Sequence, residues 1–212
     1  GPVNHGTMDD PRLKKFSSES GKTINGNSVA VMVTYGKAKI FLCGDMNAMS
    51  EDAFLERHPG EGLRANVFKA SHHGSDDFTT GFLDAVKPWV SVVSSGDYPD
   101  YGHPRAVLLG SLGKFAPGEV ARPLLFSTEV AATFKPISAE QIAGLDAGTG
   151  KPVAHLYEKT VHGLINVRTD GRWLAAGRVY GKEKGEGGRS VWEWEAYALD
   201  LESGELREKI PR

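Results

Sequence analysis

From Ser28 onward, short β-branched apolar runs alternate with stretches of helical character. Val29 to Tyr35 is one such run, closed by Gly36-Lys37, and Lys39 to Cys43 follows at hairpin spacing, which predicts two antiparallel strands. Ser50 reads as the N-cap of a helix, with Glu51 and Asp52 in its first turn and Phe54 and Leu55 facing inward. Ala65 to Ala70 predicts a strand that ends directly at Ser71-His72-His73-Gly74-Ser75. A helix over Thr80 to Val86 then leads to a buried strand over Trp89 to Ser94. Pro104 suits the first turn of a helix running to about Phe115, and Pro123 to Ser127 reads as a further strand. Strands alternating with helices over about a hundred residues predict a layered α/β fold.

The pattern changes after Thr133. Residues 136–152 are rich in Gly, Ala and Pro, with one short helix expected around Ser138 to Leu145. Four strand-like pieces follow: Val153 to Tyr157, Gly163 to Arg168, Trp173 to Tyr180 and Val191 to Leu199, with Asp170-Gly171 as a hairpin turn. Trp192 and Trp194 alternate in period 2 and suit a sheet face, and Lys182 to Arg189 reads as a mobile mixed-charge loop. These strands are expected to complete the same sheet system, so residues 28–135 form the βα core and 136–212 the loop and β strands of one domain. Val3 to Asn27 is polar and without period, which reads as a linker, residues 1–27, from something upstream. Gly1-Pro2 fits a tag scar, a protease cut or an arbitrary start equally well.

Composition narrows the class. The 212 residues are 40% apolar and 25% charged, which excludes a disordered or fibrous chain. Basic and acidic side chains nearly cancel, to −2, so no overall charge draws the protein to nucleic acid or to an anionic membrane. A single cysteine, Cys43, excludes an internal disulfide framework and fits a reducing compartment. With no apolar run of about 18 residues, the expectation is a soluble, cytoplasmic protein.

Three places carry residue types suited to chemistry. Asp45 follows Gly44 just past an apolar strand, where backbone is held and the side chain is free, as a metal ligand or as a turn-former. His72 and His73 are adjacent at a strand terminus. In a regular strand they would point to opposite faces, a limit that a break at Gly74 would relax. Gly74 and Ser75 offer amide and hydroxyl donors to an anionic oxygen. His103 sits between a strand end and a helix start, on the same sheet edge as the other histidines if the strands are parallel. Asp45, His72, His73 and His103 together offer the oxygen and nitrogen ligands that suit zinc or manganese. His58 suits a helix end, His162 and Cys43 read as packed groups, and His5 and His155 carry no signal.

These pieces resemble the metallo-β-lactamase superfamily, with the nearest look to the hydrolase domain of the DNA-uptake channel ComEC. The resemblance rests on Asn27-Ser28-Val29, on Phe41-Leu42-Cys43-Gly44-Asp45, on Val67 to Ser75, on Phe82 to Pro88 and on Tyr101-Gly102-His103-Pro104, in that order over residues 25–116. It implies an αββα sandwich, of which this chain would be half: a mixed sheet with helices on one face and a β-rich C-terminal tail. It also implies two divalent metal ions, zinc or manganese, with Asp45 as the bridging carboxylate and His73, with His72 as the alternative, as a ligand of the second ion. His72 and His103 would act catalytically beside the substrate, and Lys69, Gly74 and Ser75 would bind it. The family chemistry is two-metal hydrolysis, in which paired ions share an attacking hydroxide.

The family's His-x-His-x-Asp-His cluster, which normally lies N-terminal to these pieces, is absent from the 212 residues. Asp45 and His73 alone cannot hold a tetrahedral zinc. The expectation is therefore the C-terminal half of a dinuclear metal-dependent hydrolase, a nuclease or phosphodiesterase, active only with an N-terminal half that supplies the missing ligands. Its partners would be that half, a nucleic acid substrate and, if the chain is nicked, an activating protease, with no membrane. Arg64, Lys69, Arg105, Arg172 and Arg178, with further basic residues, would form a phosphate-facing rim or simply solvated surface. Asn47 stands where some relatives carry a Glu. The alternatives are a catalytically incomplete binding or regulatory module, and a hydrolase of small lactones or thioesters.

Overall fold

The computed structural model describes residues 12–59, 61–96, 102–119, 122–134, 157–161, 164–184 and 190–208. Strand β1 (Val31–Tyr35) turns through Gly36-Lys37 into β2 (Ala38–Leu42), antiparallel, with Val31 opposite Leu42 and Tyr35 opposite Ala38. From β2 the chain crosses over three times and lays down β3 (Val67–Lys69), β4 (Val90–Val93) and β5 (Leu124–Ser127) in parallel, giving a sheet ordered β1-β2-β3-β4-β5. The crossovers carry helices α2 (Ala48–Arg57), α3 (Thr80–Val86) and α4 (Ala106–Lys114). The parallel arrangement sends the C-terminal ends of β2, β3 and β4 to one edge, as the expectation for the histidines required.

Alternation along these strands builds two cores. Phe41, Phe68 and Val93 point toward the helices and join Phe82, Leu83, Leu108 and Leu112 in one cluster. The Phe41 ring lies 5.9 Å from Phe82 and 6.2 Å from Phe68, all three nearly solvent-free. Each such burial stabilises the fold by about 1.5–3 kcal/mol. The opposite face offers Ala38, Val67, Val90, Leu124 and Phe126, which meet Leu174, Ala176 and Leu199. Those last residues belong to a second, antiparallel sheet ordered β11-β10-β9-β8: β8 (Ile165–Thr169), β9 (Trp173–Lys184), β10 (Ser190–Asp200) and β11 (Leu206–Glu208). The result is a mixed α/β N-terminal region followed by a more β-rich C-terminal portion.

The turns of the two sheets lock together. Asp170 Oδ1 accepts from the amides of Arg172 and Trp173, closing the β8–β9 turn. The carbonyl of the next residue, Gly171, accepts from Lys37 N. A Cβ at Gly36, where φ is +57°, would stand 2.6 Å from that carbonyl oxygen, so this approach requires glycine.

Several expectations are corrected. The C-terminal strands stack on the first sheet as a sheet of their own, because their apolar residues face Val67 and Val90 instead of pairing with an edge. Lys182 to Lys184 belong to β9, not to a loop. A separate ribbon of β6 (Glu129–Phe134) and β7 (Tyr157–Val161) was not expected. Helix α2 is capped by Asn47, whose side chain accepts from Ser50 N while Ser50 Oγ accepts from Asn47 N. Ser50 is thus the reciprocal member of a capping box. Pro104 precedes the N-cap residue, Arg105, of α4.

The stretch read as linker holds helix α1 (Ser20–Gly26), anchored by buried Phe16 and by Asn27, which accepts from Lys14 N and donates to Lys14 O and Thr23 O. The expected helix at Ser138 to Leu145, the strand from Val153, the side chains of Trp192 and Trp194, and His5, His155 and His162 lie outside the described residues.

Candidate functional site

Two corners at the C-terminal ends of β2 and β3 form the site. The first is Cys43-Gly44-Asp45, where Ser28 Oγ accepts from Asp45 N at 2.9 Å and so holds the backbone that carries the carboxylate. The second is the turn Ser71–Gly74, whose first free amide, His72 N, donates to Gly44 O at 3.0 Å and joins the corners. Here the strand's alternation is broken at the histidines themselves and not at Gly74 alone: His72 has φ 48° and His73 φ 53°. Left-handed backbone costs about 1–2 kcal/mol for each such residue, a strain that gathers at functional sites and is held by its surroundings.

The break sends the two rings apart. His73 Nδ1 lies 2.9 Å from the carbonyl oxygen of Ser94, beyond β4. A carbonyl only accepts, so Nδ1 carries the proton and Nε2 is the basic nitrogen of the neutral ring. That Nε2 stands 3.4 Å from Asp45 Oδ1. The pair is half exposed, with the His73 side chain 48% and the Asp45 side chain 36% accessible, so both atoms face a solvent-reachable edge. Lys69, the last residue of β3, adds to the local balance: burial lowers its pKa, and the Asp45 carboxylate opposes that shift.

His72 turns the other way. Its Nε2 lies 3.2 Å from Asn25 Nδ2 on α1, and its Nδ1 is buried without a hydrogen-bond partner among the described residues. Its ring meets His103 edge-on, with centroids 5.7 Å apart. His103 is buried, held through its carbonyl by the Ser95 hydroxyl at 2.9 Å. Arg105 N donates to Gly74 O at 2.8 Å, which seats the His103-Pro104 loop on the turn. Gly74 has φ +89°, and a Cβ there would stand 2.7 Å from Pro104 Cβ.

All four predicted groups therefore gather at one edge, as two pairs: Asp45 with His73, and His72 with His103. Ser75 turns inward, its amide on His72 O and its hydroxyl accepting from Asp77 N. Gly74 is buried beneath Pro104 and Val93. The basic residues do not make one rim. Arg64 lies at the opposite end of the sheet, and Arg172 and Arg178 pair with Asp200 and Glu195 on the second sheet.

Sequence reasoning missed three participants. Asn25 and the Ser94 carbonyl leave no signal in side-chain type. Glu51 is 1% exposed and accepts from Thr79 N at 2.6 Å, behind the turn; burial pushes its carboxyl up to about 7. Asn47 is buried as the α2 cap and donates to Lys22 O.

As a test of fit, a zinc or manganese site requires several converging donors. Among the described residues no group of three or more His, Cys, Asp or Glu side chains converges in that way. Asp45 and His73 supply two, so the donor set of the described residues does not by itself fit such an ion.

Two curated proteins are similar to part of the chain. Competence protein ComA of Neisseria gonorrhoeae is 36% identical over 81 residues, 38% of this chain and 12% of that protein. Recombination protein 2 of Haemophilus influenzae is 30% identical over 92 residues, 43% of this chain and 11% of that protein. The chain thus matches about an eighth or less of the length of these relatives. No family model matches the chain, and no solved structure matches it.

Proposed function

We propose that this chain is a catalytically incomplete module of a metal-dependent hydrolase of the metallo-β-lactamase kind. Asp45 and His73 would be its contribution to a metal centre that another segment, carrying the remaining ligands, completes. His72 and His103 would then stand beside the reacting group, and the substrate class we favour is a phosphodiester. The named relatives, a competence protein and a recombination protein, support that choice by analogy only.

The observation that carries the reading is an uncovered strip beside the half-built pair. Val31, Val33 and Tyr35 on β1 lie opposite Leu42, Ile40 and Ala38, so their side chains share one face. On this face Ala38 and Ile40 pack toward the second sheet, whereas Val31, Val33, Tyr35 and Leu42 are 40–62% exposed. A run of exposed apolar residues of this kind marks an interaction surface. It ends at Leu42, three residues before Asp45. A segment that buries the strip is therefore at hand to add donors to Asp45 and His73.

The test is calorimetric titration with zinc and with manganese, on this chain and on a longer polypeptide that includes the residues preceding it. The chain alone should bind weakly and show no turnover on bis(p-nitrophenyl) phosphate. The longer protein should take up metal and cleave the ester. Tight uptake and turnover by the chain alone would contradict incompleteness, and no uptake by the longer protein would favour a purely regulatory module.

A further inference from the structure

The far end of the first sheet carries a cleft of about 430 Å³ that the proposed reaction does not use. It lies where the chain enters β2, β3 and β4, whereas Asp45 and His73 stand where β2 and β3 end. Lys37, Lys39, Arg64 and Lys87 line it, together with Asn66 and the half-buried indole of Trp89. Set against Glu119 and Glu202, which also line the cleft, the four cations leave a local excess of two positive charges in a protein whose net charge is −2.

These cations are held loosely. Lys37 Nζ lies 2.8 Å from Glu202 and an Arg64 nitrogen 3.5 Å from Glu119, the two carboxylates of the cleft, and Lys87 Nζ lies 3.5 Å from Asp84. All six side chains are 41–61% exposed, and ion pairs this exposed contribute little and exchange readily. Lys39 makes no ion pair among the described residues, although its backbone amide is fixed by Asn66 Oδ1 at 2.8 Å. The Nδ2 group of Asn66 makes no hydrogen bond among the described residues and remains a donor.

We infer that this cleft binds a nucleoside phosphate unit, free or within a single strand, with the Trp89 indole against the base and the cations on the phosphate. The chemistry follows from the lining: an aromatic face takes any base by stacking, exchangeable cations take phosphate oxygens, and an amide donor is left for a ring or sugar acceptor. A purely anionic ligand would leave the indole without a role, and a neutral aromatic would leave the cations without one. The inference stands apart from the hydrolase proposal, since it concerns the other end of the sheet.

The test is fluorescence anisotropy of a labelled twelve-nucleotide oligothymidylate on the whole chain, with EDTA present so that binding is read without turnover. Replacing both Lys39→Glu and Lys87→Glu should weaken binding about tenfold or more and flatten the salt dependence by about 1–2 in log–log slope. Lys114→Glu, a charge reversal at the end of α4 and outside the cleft lining, should leave binding unchanged. Competition by thymidine 5′-monophosphate assigns a free nucleotide as a sufficient ligand, and competition by unlabelled oligonucleotide alone assigns the strand; either upholds the inference. No binding by the wild-type chain, equal binding by the double variant, or an equal loss in Lys114→Glu overturns it.

Discussion

Asn25 and His72 meet across 47 residues of chain, with the amide nitrogen of one 3.2 Å from Nε2 of the other. The contact docks helix α1 on the turn that follows β3 and gives the strained His72 a fixed ring orientation. Removing it with Asn25→Ala should cost about 1 kcal/mol, the net worth of one hydrogen bond, read as a lower urea midpoint. In ¹⁵N spectra the imidazole nitrogens of His72 should move while those of His73 stay in place. Unchanged His72 signals would show that the orientation is set elsewhere.

Asp45 is the opposite case, a side chain that the fold does not need. It is 36% exposed and its backbone amide is held by Ser28 independently of the carboxylate. Asp45→Ala should shift stability by no more than about 0.5 kcal/mol. In the completed protein it should remove metal uptake and nearly all hydrolysis. Turnover close to wild type would end the proposal that Asp45 is a ligand.

Glu51 should make stability depend on pH. Its carboxyl is raised from the ordinary 4.5 to about 7, by burial first, against the opposing hydrogen bond from Thr79. The folded state therefore holds a proton that the unfolded chain releases. That contribution is fully present below about pH 4.5 and is lost as pH rises to about 7. Its size is roughly 3 kcal/mol at most. Glu51→Gln keeps an oxygen acceptor for Thr79 N, so it should flatten the stability profile between pH 4.5 and 7 and raise the denaturation midpoint above pH 7. A wild-type profile flat across that window would show the carboxylate to be better compensated than its burial implies.

Gly74→Ala should destabilise by roughly 2 kcal/mol or more, because overpacking adds to the cost of a side chain at φ +89°. The new methyl meets Pro104 and Val93, so hydrogen exchange should quicken in the His103-Pro104 loop before it does in the second sheet. A variant as stable as wild type would mean that the loop moves aside freely.

Cys43 should resist alkylation in the native state. Its thiol is fully buried and its pKa is pushed well above the usual range, by burial first and then by Glu51. Reaction with a maleimide should follow the unfolding curve, and rapid native-state labelling would contradict the packing.

Most strands and helices up to Ser127 were legible because β-branched runs make strands and the stretches between them carry helical character. The exact helix starts were not, since Asn47 and not Ser50 caps α2 and Pro104 stands before the N-cap of α4. The common edge for Asp45, His72, His73 and His103 followed from parallel order. What the sequence did not disclose was the direction of each ring. That depends on two left-handed residues at His72 and His73 and on a backbone carbonyl at Ser94, and neither has a signature in residue type. Helix α1 was missed for a related reason. Ser20 to Gly26 has no apolar stripe of its own, and the helix is held by Phe16, Asn27 and the Asn25 contact, which are tertiary. The second sheet was misjudged because alternation identifies a strand but not its neighbour.

Strand β1 has a practical consequence for handling the protein. Among the described residues it has no neighbour on its outer side, so its amides and carbonyls there form an open ladder along Val31 to Tyr35. The same strand carries valines and a tyrosine turned to water, without lysine or proline to discourage a second strand from joining. Produced by itself, the chain should self-associate through this border as its concentration rises. A single lysine at Val33 should keep it monodisperse in light scattering.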